Sequence, residues 1–389
     1  MRASSNNVPG NAVAILGGGP VGLALALLLS KRGVPSVVFD ARSVEQARAD
    51  RRLLALSLGS LQTLGSLAEL PRDKQAPIRT VIISSVGQFG RAVIGERDFG
   101  AEILGATIRY GDLVTALSTA AEAEKLISVR RPLKVLGVQQ SPSSVRIELE
   151  DEPPFTSPLA LSAEGLGTEP MTPAVYSALI ADLEVTGLES GSACERFTRD
   201  GPLALLPLPV RGASSMQRMA LVWCMSSSQA DRRSALNEDE FLAELRTQLG
   251  ERKLRVTGLQ SRNRFPLHER ARDSLVEHRL AYLGNAAQTL HPVAGQGLNL
   301  GLRDGAVLAE LVGAAFSSGS DPMSALDSYA QSRRADRAAI VALTRTAPAF
   351  FATRFAPIAL ARSIGLTALA VVPNLRREFA RLLMFGVRF

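Results

Sequence analysis

The stretch Val13-Ala14-Ile15-Leu16-Gly17-Gly18-Gly19-Pro20-Val21-Gly22 joins a short apolar run to a glycine-rich turn and to the start of an apolar segment. Gly17, Gly19 and Gly22 have the G-x-G-x-x-G spacing. In that spacing the first glycine permits a tight turn, the second lets a pyrophosphate approach the backbone, and the third allows a helix to pack closely on a strand. The N-terminus of the following helix offers free N–H groups to an anion. The stretch therefore predicts a strand-turn-helix unit that binds a dinucleotide.

The unit continues into a helix over Val21–Leu29, which stops near Gly33, and a second strand over Val37–Asp40. Asp40 follows Gly17 by 23 positions, where a carboxylate can accept hydrogen bonds from the ribose hydroxyls of the nucleotide. A glycine-rich turn in an ordinary α/β domain is the alternative for an isolated motif, but here strand, helix and carboxylate occur together. The motif does not separate FAD from NAD.

A second glycine-rich segment runs from Gly284-Asn285-Ala286-Ala287 through Gly295-Gln296-Gly297-Leu298-Asn299 to Asp304. It resembles the flavin-contacting motif of the group A flavoprotein aromatic hydroxylases, in the ubiquinone-biosynthesis branch (UbiH/UbiF/VisC type), where Asn often replaces Asp at position 285. Further matches follow in the family's order along most of the chain: Asp50-x-Arg52-x-x-Ala55-Leu56-Ser57, Gly87-x-Phe89-Gly90, Glu195-Arg196-Phe197-Thr198 with Gly201 to Pro207, and Leu221-Val222-Trp223.

The resemblance implies an α/β fold. A Rossmann-like FAD-binding domain, like that of para-hydroxybenzoate hydroxylase, would carry an inserted, mainly antiparallel β substrate domain and a helical C-terminus. The FAD-binding domain is predicted to comprise residues 11–77, 106–170 and 278–345, and the substrate domain residues 78–105 and 171–277. Residues 346–389 would form the C-terminal helical region. Short β patterns between Ala174 and Phe265 support the second domain from the residues alone.

The resemblance also implies roles for single residues. Gly17, Gly19 and Gly22 would cradle the FAD pyrophosphate, Asp40 would bind the ribose, and Arg52 would lie near the cofactor. Gly284 and Asn285 would bind the ribityl or pyrophosphate region. The residues expected beside the pyrimidine edge of the flavin are Gly295, Gln296, Gly297, Leu298 and Asn299. A helix that begins near Leu298 would direct its N–H groups at the negative charge of the reduced flavin.

The family's chemistry is hydroxylation of a phenolic ring. NAD(P)H reduces FAD, oxygen adds to form a flavin hydroperoxide, and the activated phenol attacks its distal oxygen. The implied substrates are O2 and a prenylated phenol of ubiquinone biosynthesis. His291 and Pro292 occupy the positions that face the flavin and substrate, and they are the predicted catalytic residues. For His291 both a structural hydrogen bond and a proton-transfer role stay open.

One motif departs from the family. The usual mid-chain Asp-Gly, followed closely by Ser and Arg, is replaced by Glu164-Gly165, and the basic residue is missing. Either Glu164 does the same work with one more methylene, or the protein is an FAD-binding accessory subunit of the same biosynthetic assembly with weak or no hydroxylase activity. A flavin-dependent halogenase would need a WxWxI-type motif, and Trp223 is the only tryptophan.

Composition excludes several other classes. The net charge is +7, but the basic residues are scattered and aromatic residues make up only 5%, so no nucleic-acid site is predicted. Two cysteines and three histidines without ligand spacing predict neither a metal site nor a disulfide framework, and a reducing cytoplasm fits this usage. The apolar run Ala12–Leu29 is interrupted by three consecutive glycines and Pro20, which fits a strand-turn-helix better than a signal peptide.

The C-terminal region combines apolar and basic residues. The run Ala356–Val372 is interrupted by Arg362 and is shorter than the ~20 apolar residues of a spanning helix. From Arg354 onward there are six Arg and one Glu. Residues 354–389 are therefore predicted either to contact an anionic membrane surface or a partner protein, or to form a helical cap on the flavin domain. Membrane contact would place the protein in the cytoplasm, peripheral on the inner face of the membrane.

Overall fold

The computed structural model of this chain describes residues 10–87, 91–165, 174–209, 216–250, 254–292, 295–352 and 356–386. The strands, in chain order, are β1 Val13–Leu16, β2 Ser36–Phe39, β3 Leu53–Ser57, β4 Gln75–Ile78, β5 Thr80–Ser85, β6 Arg91–Gly95, β7 Gly105–Arg109, β8 Ile127–Arg130, β9 Val135–Gln140, β10 Val145–Leu149, β11 Glu152–Ser157, β12 Ala160–Ser162, β13 Tyr176–Thr186, β14 Ser192–Phe197, β15 Pro202–Pro207, β16 Gln217–Ser226, β17 Arg255–Leu267, β18 Arg270–Ala271, β19 Val276–Glu277, β20 Leu280–Tyr282 and β21 Gln288–Thr289.

The helices are α1 Pro20–Ser30, α2 Val44–Arg48, α3 Leu58–Gly65, α4 Tyr110–Ala123, α5 Ser227–Ala235, α6 Glu238–Leu249, α7 Gln296–Ser318, α8 Met323–Ala352, α9 Ala356–Val371 and α10 Pro373–Phe385. Short 3-10 turns occupy Arg72–Lys74, Glu96–Asp98 and Gly284–Ala286. The strand-turn-helix-strand unit at the N-terminus is confirmed. The helix α3 ends at Gly65, because Gly65 and Ser66 are weak helix formers.

A six-stranded sheet with the order β19-β20-β12-β1-β2-β8 forms the centre of the molecule. Its strands β20, β12, β1, β2 and β8 run parallel, and only the short edge strand β19 is antiparallel. Every residue of α1 is buried. This helix packs against the sheet on one side and against α4 and α7 on others. Parallel strands end at the same edge, so the segments that follow β1, β12 and β20 meet there.

A seven-stranded sheet, β17-β13-β16-β15-β14-β5-β6, is antiparallel except for the β14–β5 pair. Alternate residues such as Leu179, Leu221 and Trp223 point to one face, where they form a core with Phe241 and Leu245 of α6. Trp223 is fully buried in that core. The other face of this sheet is not covered by α5 and α6.

The C-terminal helices α9 and α10 pack on the edge of the seven-stranded sheet. Leu366 of α9 and Met384 of α10 share a core with Ile83, Ile94 and Phe197 of that sheet. The Arg376 guanidinium binds the Asp98 carboxylate at 2.8 Å. The helical cap was predicted to lie on the flavin domain, but the core shared by these helices is with the seven-stranded sheet, in the predicted substrate domain. Contact with a membrane or a partner stays a prediction. The domain limits given above stay a prediction.

Candidate cofactor and active site

The turn after β1 has no room for side chains. Gly17 has φ +103°, and a Cβ on it would lie 2.8 Å from the backbone of Ala163 and Glu164. A Cβ on Gly22 would lie 1.9 Å from the Gly17 carbonyl oxygen. These two glycines are therefore required by the backbone itself, and the turn can approach a phosphate closely.

Asp40 lies beside this turn and is 6% exposed. Its Oδ1 accepts from the backbone N–H of Arg42 at 3.0 Å. Its Oδ2 is buried and has no hydrogen-bond partner among the described residues. Leaving a buried carboxylate oxygen unpaired is costly, and a ribose hydroxyl is the donor that this position would receive in a nucleotide-bound state.

Arg131 is a neighbour of the turn that the sequence alone did not identify. Its Nη2 donates to the Gly18 carbonyl at 3.2 Å, and a Cβ on Gly18 would lie 2.7 Å from Nη2 and 2.8 Å from Asp40 Oδ2. Arg131 directly follows β8, a strand of the parallel sheet. That position was a usable signal, since residues that follow parallel strands gather at one edge.

Arg52 contacts Tyr110, whose hydroxyl lies beside the turn after β1. Its guanidinium pairs with both carboxylate oxygens of Asp50, at 2.6 to 3.0 Å, and lies 4.7 Å from the centre of the Tyr110 ring. The Tyr110 hydroxyl accepts from Arg42 Nη2 at 2.7 Å and would lie 3.0 Å from a Cβ on Gly19. Arg52 is thus near the turn, but Asp50 compensates its charge.

The turn after β20 packs between two helices. Gly284 has φ +59°, and a Cβ on Gly301 of α7 would lie 2.9 Å from the Gly284 Cα. A Cβ on Gly284 would lie 3.3 Å from Val21 Cγ2, in α1. Asn285 is exposed and lines a cavity of about 360 Å³ whose other walls include Leu16, Ser162, Glu164, Gly165, Arg270, Arg272 and Tyr282.

Glu164 follows β12 and therefore lies at the edge between the two turns. Burial raises the pKa of its carboxyl group, and the nearby charge of Asp40 adds to this rise. The altered motif thus still places a carboxyl group at the cofactor edge. The residues that would carry the family's Ser and Arg fall within 166–173, which lie outside the described residues.

The N-terminus of α7 presents one open face and one closed face. A Cβ on Gly297 would meet no atom within 4 Å. The Asn299 side chain is 2% exposed. It accepts from Ser57 N at 2.9 Å and donates to the carbonyl oxygens of Ala55 at 3.0 Å and Gly295 at 2.8 Å. Asn299 therefore fixes α7 to β3, and its side chain does not face the open side.

Gln296 and Leu298 flank the open face. Gln296 Nε2 donates to the Leu383 carbonyl of α10 at 3.2 Å, so its side chain also faces protein, and Leu298 is half-buried. The helix starts at Gln296, two residues before the predicted start. Gly295 precedes it in the left-handed region at φ +58°, which explains why the chain has glycine there.

His291 and Pro292 lie just before α7. His291 is 4% exposed, and burial lowers its pKa to about 4. The imidazole is therefore neutral at pH 7. The Pro292 carbonyl accepts from Gly295 N at 3.0 Å, which ties this segment to the start of α7. Residues 293 and 294 lie outside the described residues.

Residues 11–154 and 167–344 match the family model of the FAD binding domain. The chain belongs to the FAD-dependent aromatic hydroxylases. It is 31% identical over 391 residues to the ubiquinone hydroxylase UbiL of Rhodospirillum rubrum, with 95% of this chain and 88% of UbiL covered. It is 28% identical to the 3-demethoxyubiquinol 3-hydroxylase of Escherichia coli, with 94% and 96% covered.

A solved structure shows the same fold. The p-nitrophenol 4-monooxygenase PnpA of Pseudomonas putida superimposes with a TM-score of 0.72 at 18% identity, over 97% of this chain and 99% of PnpA. The predicted α/β fold class and the predicted ubiquinone-hydroxylase branch are confirmed. FAD is the cofactor of this flavoprotein, and NAD(P)H is the reductant typical of its class.

A buried ionic network lies behind the cofactor edge of the flavoprotein. Asp304 is fully buried, and its Oδ1 accepts from Arg333 Nε at 2.7 Å. Asp336 pairs with both Arg333 and Arg303. Burial raises the pKa of Asp304, and the charge and hydrogen bond of Arg333 oppose that rise. Asp304 ends the flavin-contacting motif and, in this position, joins α7 to α8.

The face of the seven-stranded sheet opposite α5 and α6 has an apolar floor in its central strands. Direct cross-strand pairs align Ala204 with Val222 and Val222 with Ile180. The same row reaches Asn263 of the edge strand β17 at one side and continues through Glu195 to Ile83 and Ala92 at the other. Ala204, Val222 and Ile180 are only half-buried although their strands are internal to the sheet. Such exposure in central strands indicates an open cleft over this row.

This face turns towards the cofactor part of the flavoprotein. Asp182, two residues after Ile180 and on the same face of β13, pairs with Arg109 of β7 at 3.2 Å. The strand β7 pairs with β3, which carries Ala55 and Ser57, the residues that hold the start of α7. The apolar floor and the open face of α7 are thus joined through β7 and β3.

No three His, Cys, Asp or Glu side chains among the described residues gather where they could hold a metal ion. None of the described helices has both the length and the apolar character needed to cross a membrane. Cys194 and Cys224 are both buried.

Proposed function

We propose that this flavoprotein hydroxylates the aromatic ring of a prenylated phenol in ubiquinone biosynthesis. The observation that carries the proposal is the full-length similarity to proteins named ubiquinone hydroxylases. The apolar floor, which β7 and β3 join to the start of α7, supports it. Three half-buried apolar side chains, at successive strand spacings of about 4.8 Å, suit a substrate with an apolar tail and few polar groups.

The geometry of the two glycine-rich turns and of α7 supports a set of proposed cofactor contacts. Gly17, Gly18 and Gly19 would receive the pyrophosphate, Asp40 Oδ2 would accept from the ribose, and the backbone of Gly297 would face the flavin. When bound, FAD supplies the redox and oxygen-activating chemistry. The chain supplies orientation, a dry cleft, and N–H groups of α7 directed at the flavin edge.

His291 and Pro292 are proposed at the substrate side of the flavin. Because its pKa is about 4, His291 at pH 7 is a neutral group that can accept or donate a hydrogen bond but does not carry a positive charge. Orientation of the phenol by a neutral imidazole is the role that this state supports. Gly284, Asn285 and Arg52 complete the proposed cofactor site.

The altered Glu164-Gly165 motif favours a second candidate function, an FAD-binding accessory subunit with little hydroxylase activity. Glu164 nevertheless lies at the same sheet edge as the two turns, in the wall of a cavity that also contains Arg270 and Arg272. Cationic side chains beside the cofactor edge suit the phosphates of NAD(P)H. We therefore propose that reduction by NAD(P)H is retained.

A single assay separates the two functions. Purified yellow protein is mixed with NAD(P)H and a short-chain prenylated phenol under ¹⁸O2, and both NAD(P)H oxidation and product mass are followed. Substrate-accelerated oxidation with one ¹⁸O atom in the ring supports the hydroxylase. Bound FAD that is not reduced at millimolar NAD(P)H contradicts it and supports the accessory subunit.

We also propose that the flavoprotein is cytoplasmic and touches the inner face of the membrane through its C-terminal region. Ile364 and Val371, on one stripe of α9, are 60% and 71% exposed, whereas Leu366 on the opposite stripe is buried. The exposed Arg377 and Arg381 of α10 lie nearby in the sequence. An apolar stripe flanked by cations suits an anionic bilayer surface, where a prenylated substrate would be found.

A further inference from the structure

The turn Gly284–Ala286 carries Asn285 into the cofactor edge, and it has a neighbour on its solvent side that none of the motifs includes. Arg272 Nε donates to the Ala286 carbonyl at 3.0 Å. Its backbone N–H donates to the next carbonyl, that of Ala287, at 2.9 Å. Two consecutive carbonyl groups after Asn285 are therefore held by one residue.

The Arg272 side chain is itself held in place. Its guanidinium lies 3.8 Å from the centre of the Tyr282 ring, and its Nη1 approaches Glu277 Oε1 at 3.4 Å. The Tyr282 hydroxyl donates to the other oxygen of Glu277 at 2.9 Å. Stacking on Tyr282 and pairing with Glu277 together fix the plane of the guanidinium. A lysine ammonium is not planar and could not make the same set of contacts.

The backbone of Arg272 is anchored from the opposite side. Arg337 of α8 donates to the Arg272 carbonyl, and its Nε donates to Gln288 Oε1 at 2.8 Å. Gln288 Nε2 approaches the Asp304 carboxylate at 3.4 Å. The contacts of Arg272 thus continue through Gln288 into the buried network that joins α7 to α8.

We propose that Arg272 is a positioning residue, which sets the orientation of the Ala286 and Ala287 peptides and thereby the direction in which Asn285 faces FAD. The inside of the turn is fixed by close packing of Gly284 against Gly301 and Val21. The outside is fixed by Arg272. Without the Arg272 side chain, the turn keeps its packing and the backbone hydrogen bond to Ala287, but the Ala286 carbonyl loses its donor and that peptide no longer keeps one orientation. This inference rests on the proposed cofactor contacts.

The test compares R272K and R272Q with R146Q. The control replaces an exposed arginine of β10 whose Nε pairs with Glu148. Dissociation constants are measured by quenching of FAD fluorescence on titration with apoprotein, and folding of each apoprotein is checked by its Tm. Both Arg272 variants are expected to weaken FAD binding about tenfold, the effect of one charge-assisted hydrogen bond. R146Q is expected to bind FAD as the unchanged protein does.

Two further variants separate positioning from general stability. Y282F keeps the stacked ring and should stay within about twofold of the unchanged protein, whereas Y282L removes the ring and should resemble R272K. The visible circular dichroism of bound flavin should change in R272K and Y282L and not in Y282F. Full rescue of FAD affinity by lysine, or loss of affinity that follows Tm in every variant, would overturn the proposal.

Failure of the positioning role of Arg272 can be told apart from failure of the hydroxylase proposal. If the unchanged protein binds FAD but incorporates no oxygen into a phenol, the hydroxylase proposal fails, and the Arg272 variants still decide whether Arg272 positions the turn. If the unchanged protein hydroxylates and R272K binds FAD equally well, only the positioning role fails.

Discussion

His291 is a titratable group at the candidate site, and its burial has a thermodynamic consequence. Its pKa in the folded protein is about 4, below the value near 6.5 of an unfolded chain. Between these values the unfolded state binds a proton that the folded state excludes. Stability is therefore lost as the pH falls from about 6.5 towards 4.

We expect this effect to be measurable with H291Q. Between pH 7 and pH 5, His291 should cost the unchanged protein about 2 kcal/mol of unfolding free energy, and H291Q should lack that part of the loss. Urea unfolding of the apoprotein at both pH values measures the difference. An equal loss in both proteins would show that His291 is protonated alike in the folded and unfolded states.

Replacement by alanine should have opposite effects on apoprotein stability at two glycines of α7, Gly297 and Gly301. Because a Cβ at Gly297 meets no protein atom, G297A should leave the apoprotein as stable or slightly more stable, yet weaken FAD binding if the flavin edge packs there. G301A places a Cβ 2.9 Å from the Gly284 Cα and should lower the Tm of the apoprotein. Thermal unfolding and FAD titration of both variants check this pair.

At the residue scale, spacing and family resemblance located backbone positions better than side chains. Gly17 and Gly22 could be predicted because their roles follow from local geometry. Arg272 could not, since it acts on a turn more than ten residues away in the sequence, whereas the position of Arg131 directly after a parallel strand was a signal that was not used. The inward direction of the Asn299 side chain was also beyond prediction, because it depends on the carbonyl group of Ala55 in another strand.

At the scale of elements, the start of α7 depends on its attachment to β3. Removal of the Asn299 amide leaves Ser57 N without its acceptor and two carbonyl groups without their donor. N299A should therefore cost about 2 to 4 kcal/mol of unfolding free energy. N237A, which removes the exposed N-cap of α6, is the matched control and should cost about 1 kcal/mol.

Urea unfolding of both asparagine variants gives the comparison. A cost for N299A no larger than that for N237A would mean that α7 is held by packing alone. The sequence predicted α7 within two residues because its apolar periodicity is strong. It did not show what holds its first turn, since that hydrogen bond spans more than 240 residues.

At the scale of the whole molecule, the apolar stripe of α9 predicts binding to anionic membranes. I364D/V371D should reduce co-sedimentation with phosphatidylglycerol vesicles by about tenfold or more, and 0.5 M salt should weaken binding of the unchanged protein. L136D is the control, because Leu136 of β9 is also 60% exposed. Equal binding by all three proteins would remove α9 as the membrane-binding element.

The packing of α9 and α10 on the molecule could not be derived from their composition. An apolar and basic helix fits a membrane or a protein surface equally well. The stripe of α9 that contains Leu366 is buried because it packs on Ile83, Ile94 and Phe197, which belong to strands far away in the sequence. The stripe with Ile364 and Val371 is left exposed.

The cofactor edge of the central sheet joins segments that follow residues 16, 162 and 282, and β12 lies between β1 and β20. During synthesis on the ribosome, the glycine-rich turn after β1 emerges early, but the turn that carries Asn285 cannot pair with it until about three quarters of the chain has been made. Contacts of such sequence separation form late and slowly. The nascent chain should therefore acquire its flavin only near the end of translation, and a truncated product would not retain it.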